Sequence, residues 1–193
     1  MRRLVPEECA VLVIDVQERL AAAMPPAQMV ELTRAATVLV DAAVRLGARV
    51  LATEQYPAGL GPTIAPIAAE LARAGVTPIA KMEFSACDST EFDRALAGAG
   101  AQSGRGTPPS AVIVVGMETH VCVFQTVREL CARGVHVLVP VDGVASRRDD
   151  HRAAGLELCR SAGATLTTME TVVFDWLRRA GTEPFKHLSR RIR

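Results

Sequence analysis

Aromatic residues are scarce in this sequence, and its charges nearly balance. Phe, Trp and Tyr make up 4% of the 193 residues, whereas hydrophobic residues make up 49%. The core must therefore be built mainly from Val, Leu, Ile and Ala. The net charge is +1, so no basic surface for nucleic acid or for an anionic membrane is expected.

The sequence also lacks long apolar runs. No stretch approaches the roughly 20 apolar residues that a membrane-spanning helix needs. The apolar run 10–14 near the N-terminus is too short for the hydrophobic part of a secretion signal, and Asp15 follows it directly. We therefore expect a cytoplasmic protein that does not bind a membrane.

The cysteines form no recognisable framework. There are five of them, their spacing is irregular, and no CxxC motif occurs. This pattern argues against a disulfide-stabilised fold and against a zinc cluster. Most of the five are expected to be small buried hydrophobic residues. They are Cys9, Cys87, Cys122, Cys131 and Cys159.

Short aliphatic runs alternate with helix-length segments along the chain. The runs are nearly continuous in apolar character, which is typical of strands buried on both faces of a parallel sheet. The sequence therefore predicts a single α/β domain over residues 1–193, with a three-layer, doubly wound, mainly parallel, Rossmann-like sheet of about six strands and helices on both faces. The six runs are 11–14, 49–52, 77–80, 111–115, 135–139 and 164–167.

The segments between the runs carry helical patterns. Apolar stripes predict helices that end at Gly47 and Gly134, and a further helix runs from Asp149 towards residue 162. Residues 171–179 are predicted to form the last helix, followed by a short basic tail in solvent. The Gly- and Pro-rich segment 101–110 is predicted to be a mobile surface loop.

Two charged residues directly follow predicted strands, where active sites of doubly wound folds lie. Asp15 follows the run 11–14, and Lys81 follows the run 77–80. A partly desolvated carboxylate can serve as a general base, but Asp15 could equally be a turn or capping residue. Lys81 must find an anion or water, and a surface lysine with a buried stem is the alternative.

Cys122 lies where the strand 111–115 gives way to a helix. With Thr119 as the helix N-cap, Cys122 falls in the first turn, where free N–H groups and the helix dipole favour the thiolate and lower its pKa. The alternative is a small core residue at a tight junction. His120 is two residues away and would point elsewhere on a helix, so a Cys–His pair has no support.

Three motifs in this order resemble the isochorismatase-like cysteine hydrolase family, over roughly residues 8 to 180. Two further segments resemble its subgroup of isochorismatase domain-containing proteins. The three motifs are V-I-D-V-Q (13–17), K-x-x-F-S (81–85) and V-V-G-M-E-T-H-V-C-V (114–123). The subgroup segments are E-Q-Y-P-x-G-L-G-P-T (54–63) and V-D-G-V-A-S-R (141–147).

This resemblance implies a hydrolase that acts on a small molecule, most plausibly at an amide C–N bond, with a catalytic triad. Cys122 would be the nucleophile and form a covalent acyl-enzyme. Asp15 would take the thiol proton, and Lys81 would hold the Asp15 carboxylate and favour the charged nucleophile.

The resemblance also implies a binding site around the nucleophile. A cis peptide at Met117–Glu118 would direct the N–H groups of Glu118 and Cys122 at the substrate oxyanion. Gln55 and Tyr56 could hold the substrate or simply form a turn, and Phe84 could line the pocket or belong to the core. The candidates for lining the pocket are Gln17, Gln55, Tyr56, Phe84 and Thr119.

The sequence departs from other branches of the family in two ways. The Asp-x-His metal motif of nicotinamidases is replaced by T-E-Q-Y at 53–56, so neither a bound metal nor another cofactor is expected. True isochorismatases cleave a vinyl ether without a cysteine nucleophile, and Cys122 argues against that reaction. Members of the family are commonly homo-oligomers.

Two other functions remain open at the level of sequence. The chain could be a non-catalytic interaction protein on the same fold, although the complete triad argues against it. It could also be a redox-sensing thiol protein, with Cys87 as the only candidate to resolve an oxidised Cys122.

Overall fold

The computed structural model describes residues 3–98 and 108–192 of the chain. Within them, seven parallel strands form one sheet in the order β3-β2-β1-β4-β5-β7, and β6 pairs with β4 beyond the point where β5 ends its pairing. The strands are β1 (Cys9–Ile14), β2 (Arg49–Gln55), β3 (Ile79–Lys81), β4 (Ala111–Met117), β5 (His136–Pro140), β6 (Val144–Ala145) and β7 (Thr165–Thr167).

Nine α-helices occur in the part of the chain that the structure describes. They are α1 (Glu18–Ala21), α2 (Pro26–Leu46), α3 (Pro57–Leu60), α4 (Ala65–Arg73), α5 (Thr90–Leu96), α6 (Phe124–Ala132), α7 (Asp149–Ser161), α8 (Met169–Leu177) and α9 (Glu183–Ile192). A π-helical turn, Thr119–Val123, connects β4 to α6.

The two central strands, β1 and β4, are buried along their whole length. Their side chains alternate between two apolar layers. Val11 and Val13 face α2, α4, α8 and α9, whereas Leu12 and Ile14 face α5, α6 and α7. This arrangement confirms the three-layer α/β fold, because each strand is covered on both faces. It also explains the continuous apolar runs in the sequence.

Some of the observed elements differ from the predicted ones. The strand β6 was not predicted, since two residues are too few to give a periodic signal. The helix predicted over 171–179 lies at Met169–Leu177, and a further helix, α9, follows it. The predicted surface loop 101–110 falls largely outside the described residues.

The prediction of a solvated basic tail is wrong for Arg191. Its guanidinium donates to Asp41 at 2.7 Å and to Glu70 at 2.8 Å, while Leu188 of the same helix is fully buried. These contacts dock α9 against α2 and α4.

Among residues 3–98 and 108–192, none of the helices combines the length and the apolar character that crossing a bilayer requires.

Candidate active site

The predicted site residues come together because four neighbouring strands are parallel. The carboxyl ends of β3, β2, β1 and β4 lie side by side at one edge of the sheet. Asp15 directly follows β1, Lys81 is the last residue of β3, and Cys122 lies in the turn that follows β4. The sheet order thus brings to one place three residues that are far apart in sequence.

Asp15 and Lys81 form a buried ion pair. The Nζ of Lys81 lies 2.7 Å from Oδ2 of Asp15, and both side chains are 0% exposed. The hydroxyl of Thr53, on β2, donates to Oδ1 of the same carboxylate at 2.7 Å. Each carboxylate oxygen therefore has a partner, which compensates for much of the cost of burying the charges.

The ammonium of Lys81 is surrounded by acceptors. Besides Asp15, it donates to Oε1 of Gln55 at 2.7 Å and lies near the carbonyl oxygens of Glu83 and Phe84, at 3.1 and 3.2 Å. An ammonium has only three protons to donate, and these acceptors already use all of them. Lys81 is therefore fixed in place, and its charge is balanced by Asp15.

Two residues at these strand ends have an unusual backbone. Asp15 has φ 52° and Tyr56 has φ 37°, and neither is a glycine. Positive φ is uncommon for such residues and costs free energy unless the surroundings impose it. The structure at the carboxyl ends of the strands therefore imposes both of these backbone conformations.

Cys122 is almost completely buried, with 6% of the residue exposed. Burial raises the pKa of its thiol to about 12, and the neighbouring Asp15 carboxylate contributes to the rise through its charge and a hydrogen bond, whereas Lys81 lowers the pKa. The prediction that the helix start would lower this pKa is therefore wrong. In the resting site the sulfur is a thiol beside a carboxylate.

Thr119 does not cap a helix as predicted. It is the first residue of the π-helical turn, it is fully buried, and its hydroxyl donates to the carbonyl of Ala145 at 3.0 Å. Its N–H donates to the hydroxyl of Ser146 at 3.1 Å. Both contacts tie the turn that carries Cys122 to the end of β6.

Ser146 belongs to a longer chain of hydrogen bonds. Its N–H donates to Oε1 of Gln28 at 2.9 Å, and Nε2 of Gln28 donates to Asp149 at 2.7 Å. The hydroxyl of Ser146 also pairs with Nδ1 of His120 at 3.1 Å. Ser146 thereby links helices α2 and α7 to the first residues of the turn that carries Cys122.

The peptide bond Met117–Glu118 is cis. The side chain of Glu118 binds Arg147, whose N–H and Nε donate to its carboxylate at 3.0 and 3.1 Å. The carbonyl of Glu118 accepts from the N–H of Val121 at 3.0 Å, so both its backbone and its carboxylate are bonded immediately before the turn that carries Cys122.

The candidate pocket residues fall into two groups. The amide of Gln17 is fully buried and bonded to main chain: it donates to Gln55 and Gly61 at 3.0 and 2.7 Å and accepts from the Gln55 N–H at 2.8 Å. Gln17 and Gln55 thus connect the strand ends to each other. Tyr56 and Phe84, in contrast, are exposed residues at the same edge.

Thr53 and Ser146 were not singled out from the sequence. Thr53 lies inside β2, which continues three residues beyond the apolar run 49–52. Its position, directly paired with Ile14 at the end of β1, is a signal available only once the strand register is known. Ser146 lies in the V-D-G-V-A-S-R segment, which gave a resemblance but no role.

Two other cysteines, Cys87 and Cys9, are buried as well. Cys87 is buried, its Sγ lies 3.9 Å from the carbonyl oxygen of Thr126, and burial raises its pKa to about 11. Cys9 begins β1, at the opposite end of that strand from Asp15. Across the described parts of the chain, no three His, Cys, Asp or Glu side chains are grouped so that they could hold a metal ion.

Gly155 lets helix α7 approach the π-helical turn closely. A Cβ at this position would lie 2.7 Å from the backbone nitrogen of His120 and 2.8 Å from the carbonyl carbon of Thr119. A side chain larger than that of glycine would therefore force the turn or the helix to move.

We expect Gly155→Ala to destabilise the protein and to impair the site. Alanine in a helix interior normally stabilises by about 1 kcal/mol relative to glycine, whereas overpacking against rigid backbone costs about 1–3 kcal/mol. Urea unfolding measures which effect wins. A variant more stable than the wild type, with Cys122 labelled by iodoacetamide at an unchanged rate, would contradict this account of the turn.

Comparisons with known proteins identify the family of this chain. A family model described as the isochorismatase domain matches residues 9–171. Isochorismatase domain-containing protein 2A of Mus musculus is 31% identical over 191 residues, which cover 99% of this chain and 85% of the mouse protein.

Solved structures show the same fold. The MAR1 ribonuclease of Caenorhabditis elegans superposes with a TM-score of 0.86 at 32% identity, covering 99% of this chain and 92% of that one. The YcaC gene product of Escherichia coli, described as an octameric hydrolase of unknown specificity, superposes with a TM-score of 0.85 at 22% identity, covering 99% and 91%. This chain belongs to the isochorismatase family.

Proposed function

We propose that the protein is a cysteine hydrolase that cleaves an amide-type C–N bond of a small molecule. The observation that carries the proposal is the buried Lys81–Asp15 ion pair beside the thiol of Cys122. Burying two charges is costly and adds little stability. A carboxylate held next to a nucleophilic thiol, in contrast, has an evident chemical use.

The first step follows from the protonation state of the thiol. Because its pKa is about 12, the proton must leave as the sulfur attacks, and Asp15 is the adjacent base. The sulfur bonds to the carbonyl carbon, and the carbonyl electron pair moves onto oxygen. The N–H groups of Glu118 and Cys122 are our candidates for stabilising that oxyanion.

The second step releases the amine and then the acid. The C–N bond breaks as the amine nitrogen takes the proton from Asp15, which leaves an acyl thioester on Cys122. Water attacks this thioester while Asp15 takes one of its protons. The carboxylic acid leaves, and the sulfur recovers its proton, so that the enzyme returns to its starting state.

The other site residues are assigned by their contacts. Lys81 holds the carboxylate of Asp15 and favours the negative sulfur during attack. Gln17, Gln55 and Thr119 act as positioning residues, because their polar groups bond to the strand ends or to the turn. Tyr56 and Phe84 are left as the candidates for contact with substrate.

The wider setting is part of the same proposal. We infer a single hydrolase domain, located in the cytoplasm, that uses no metal or other cofactor. We also infer a homo-oligomer, which is supported by the octameric state ascribed to the E. coli neighbour. The partner is a small molecule, and neither nucleic acid nor a membrane is involved.

A screen of small amides against the purified protein tests the proposal. The wild type should hydrolyse at least one amide, and Cys122→Ala should lose at least about 10³-fold of that activity. Cys9→Ala is the matched control, since it removes a buried thiol at the far end of β1 and should leave turnover unchanged. Equal turnover by wild type and Cys122→Ala would overturn the mechanism.

Two further arms of the screen address the rival functions. The C. elegans neighbour is called a ribonuclease, so a labelled RNA is included, and RNA cleavage without amide turnover would replace the proposal. Mass spectrometry after mild peroxide treatment tests the redox alternative. A Cys87–Cys122 disulfide in a protein that hydrolyses no amide would favour a thiol sensor.

A further inference from the structure

Three large apolar side chains lie exposed around the buried ion pair, and the proposed chemistry uses none of them. Tyr56 is 49% exposed, Met82 is 65% exposed and Phe84 is 55% exposed. We call these three residues the apolar rim. A single exposed apolar residue needs no explanation, but several at one place indicate a binding surface.

The main chain of each rim residue is hydrogen-bonded to Lys81, directly or through the side chain of Gln55. The carbonyl of Phe84 lies 3.2 Å from the ammonium, and the N–H of Tyr56 donates to the Lys81 carbonyl at 2.9 Å. The carbonyl of Met82 accepts from Nε2 of Gln55 at 2.7 Å, and Oε1 of the same amide accepts from the ammonium. The main chain of the rim residues is therefore bonded to Lys81, the residue that holds the Asp15 carboxylate, either directly or through Gln55.

Tyr56 is fixed rather than free. Its backbone has φ 37°, and its ring lies so close to Gly59 that a Cβ there would fall 2.2 Å from the ring carbon Cε1. A strained residue with its ring packed over a glycine presents one constant apolar surface. Such a surface can bind a ligand without first losing side-chain entropy.

The charges at this edge offer little to an anionic ligand. Lys81 is neutralised by Asp15, and Arg147 is paired with Glu118. Glu83, between the rim residues Met82 and Phe84, adds an exposed negative charge. A carboxylate on the substrate would therefore lose hydration without gaining a free cation from these two pairs.

Arg19, on α1, is a cation that contacts the segment after β2. It is exposed and donates to the carbonyl of Gly59. We expect the site to disfavour anions, so a preference for an anionic reagent would contradict the charge argument.

We propose that the apolar rim is a substrate subsite, and that it selects uncharged amides bearing an apolar substituent over anionic acyl compounds. The substituent packs on Tyr56, Met82 and Phe84 while the carbonyl carbon reaches Cys122. This inference rests on the proposed function and deepens it by naming the class of substrate.

Alkylation of Cys122 tests the subsite without requiring turnover. The probes are iodoacetamide, 2-iodo-N-phenylacetamide and iodoacetate, and each rate is divided by the rate of the same probe with glutathione. Labelling of Cys122 is followed by peptide mass spectrometry at about pH 9, where labelling of a weakly acidic thiol is measurable. The proteins are wild type, Phe84→Ala and Phe174→Ala. Phe174 is the matched control, because it is 42% exposed and packs against Phe185 on α9.

In the wild type the phenyl probe should react faster than iodoacetamide, and iodoacetate should be the slowest. Phe84→Ala should lower the advantage of the phenyl probe by about tenfold, as expected for a lost apolar contact, and Phe174→Ala should leave it unchanged. Equal ratios in all three proteins, or a preference for iodoacetate, would overturn the rim proposal alone. Failure of every probe to label Cys122 would instead overturn the thiol mechanism, and the rim proposal with it.

Light scattering on the same variants tests whether the rim is instead covered by a second copy of the chain. A change in the number of subunits in Phe84→Ala, but not in Phe174→Ala, would assign the rim to a subunit interface and overturn the subsite. An unchanged number of subunits, together with the altered labelling ratio, supports it.

Discussion

Replacing Asp15 with asparagine should abolish hydrolysis and, at the same time, make the thiol of Cys122 more acidic. The two effects have one cause. Asp15 is the proposed base, and it is also the charged neighbour that helps to raise the pKa of the thiol to about 12. An asparagine can take over neither role, although it has nearly the same shape.

The loss of hydrolysis should be about 10³-fold, because general base catalysis of this kind contributes about 10²–10⁴-fold. The change in acidity follows from the signs of the charges. Burial and the Asp15 carboxylate raise the pKa of the thiol, and Lys81 lowers it. Removing the carboxylate leaves burial opposed by an ammonium that is no longer neutralised, so the pKa falls.

The rate of Cys122 alkylation by iodoacetamide, measured from neutral pH to about pH 10, reports this pKa. In the wild type the rate should rise throughout the range without a plateau. In Asp15→Asn the curve should move to lower pH, although the amide is hydrolysed no longer. If hydrolysis and alkylation fell together, Asp15 would be needed for the structure of the turn rather than for proton transfer.

The second large effect is expected on stability. Lys81→Met leaves the Asp15 carboxylate buried without its ion-pair partner, and removing one member of a buried pair costs about 3–5 kcal/mol. Hydrolysis should be lost as well. Urea unfolding gives the free energy of unfolding of the variant and of the wild type.

The double variant Asp15→Asn/Lys81→Met separates stability from catalysis. With both charges gone, most of the lost stability should return, while activity stays absent. Lys186→Met is the matched control: its ammonium also lies 2.7 Å from a carboxylate, Glu183, but the pair is exposed. It should cost less than about 1 kcal/mol. A double variant as unstable as Lys81→Met would show that the cost has another origin.

A simple topological argument predicts from the sequence where the candidate site lies. Asp15 and Lys81 directly follow apolar runs, and the ends of parallel strands meet at one edge, so their proximity could be expected. The site residue Thr53 could not be found in this way. The strand β2 continues through the polar residues 53–55. Nothing in the sequence indicates that the strand extends beyond the apolar run.

The protonation state of Cys122 could not be predicted from the residues next to it in the sequence. The start of a helix favours a thiolate, and that effect can be seen in the sequence. The opposing effect is burial, which arises from packing among segments that are distant in sequence, and it is the largest cause of the raised pKa. The π-helical turn was also unpredictable, because its hydrogen bonds depend on Ser146 and Ala145.

The apolar pattern of helix α9 is visible in the sequence. Phe185, Leu188 and Ile192 lie at i, i+3 and i+7, a spacing that predicts an amphipathic helix. The many charged residues around them suggested a solvated tail instead. In the structure those charges serve the docking of the helix, since Arg191 pairs with Asp41 and Glu70.

The central claim is that the sulfur of residue 122 carries an acyl group during turnover. Brief reaction with p-nitrophenyl acetate, an activated acyl donor, followed by acid quenching and peptide mass spectrometry, tests it directly. The account predicts an acetyl group on Cys122 that hydroxylamine removes, as it removes thioesters, and no such group in Cys122→Ala. Release of nitrophenol at the same rate by both proteins, with Cys122 unmodified in the wild type, would contradict it.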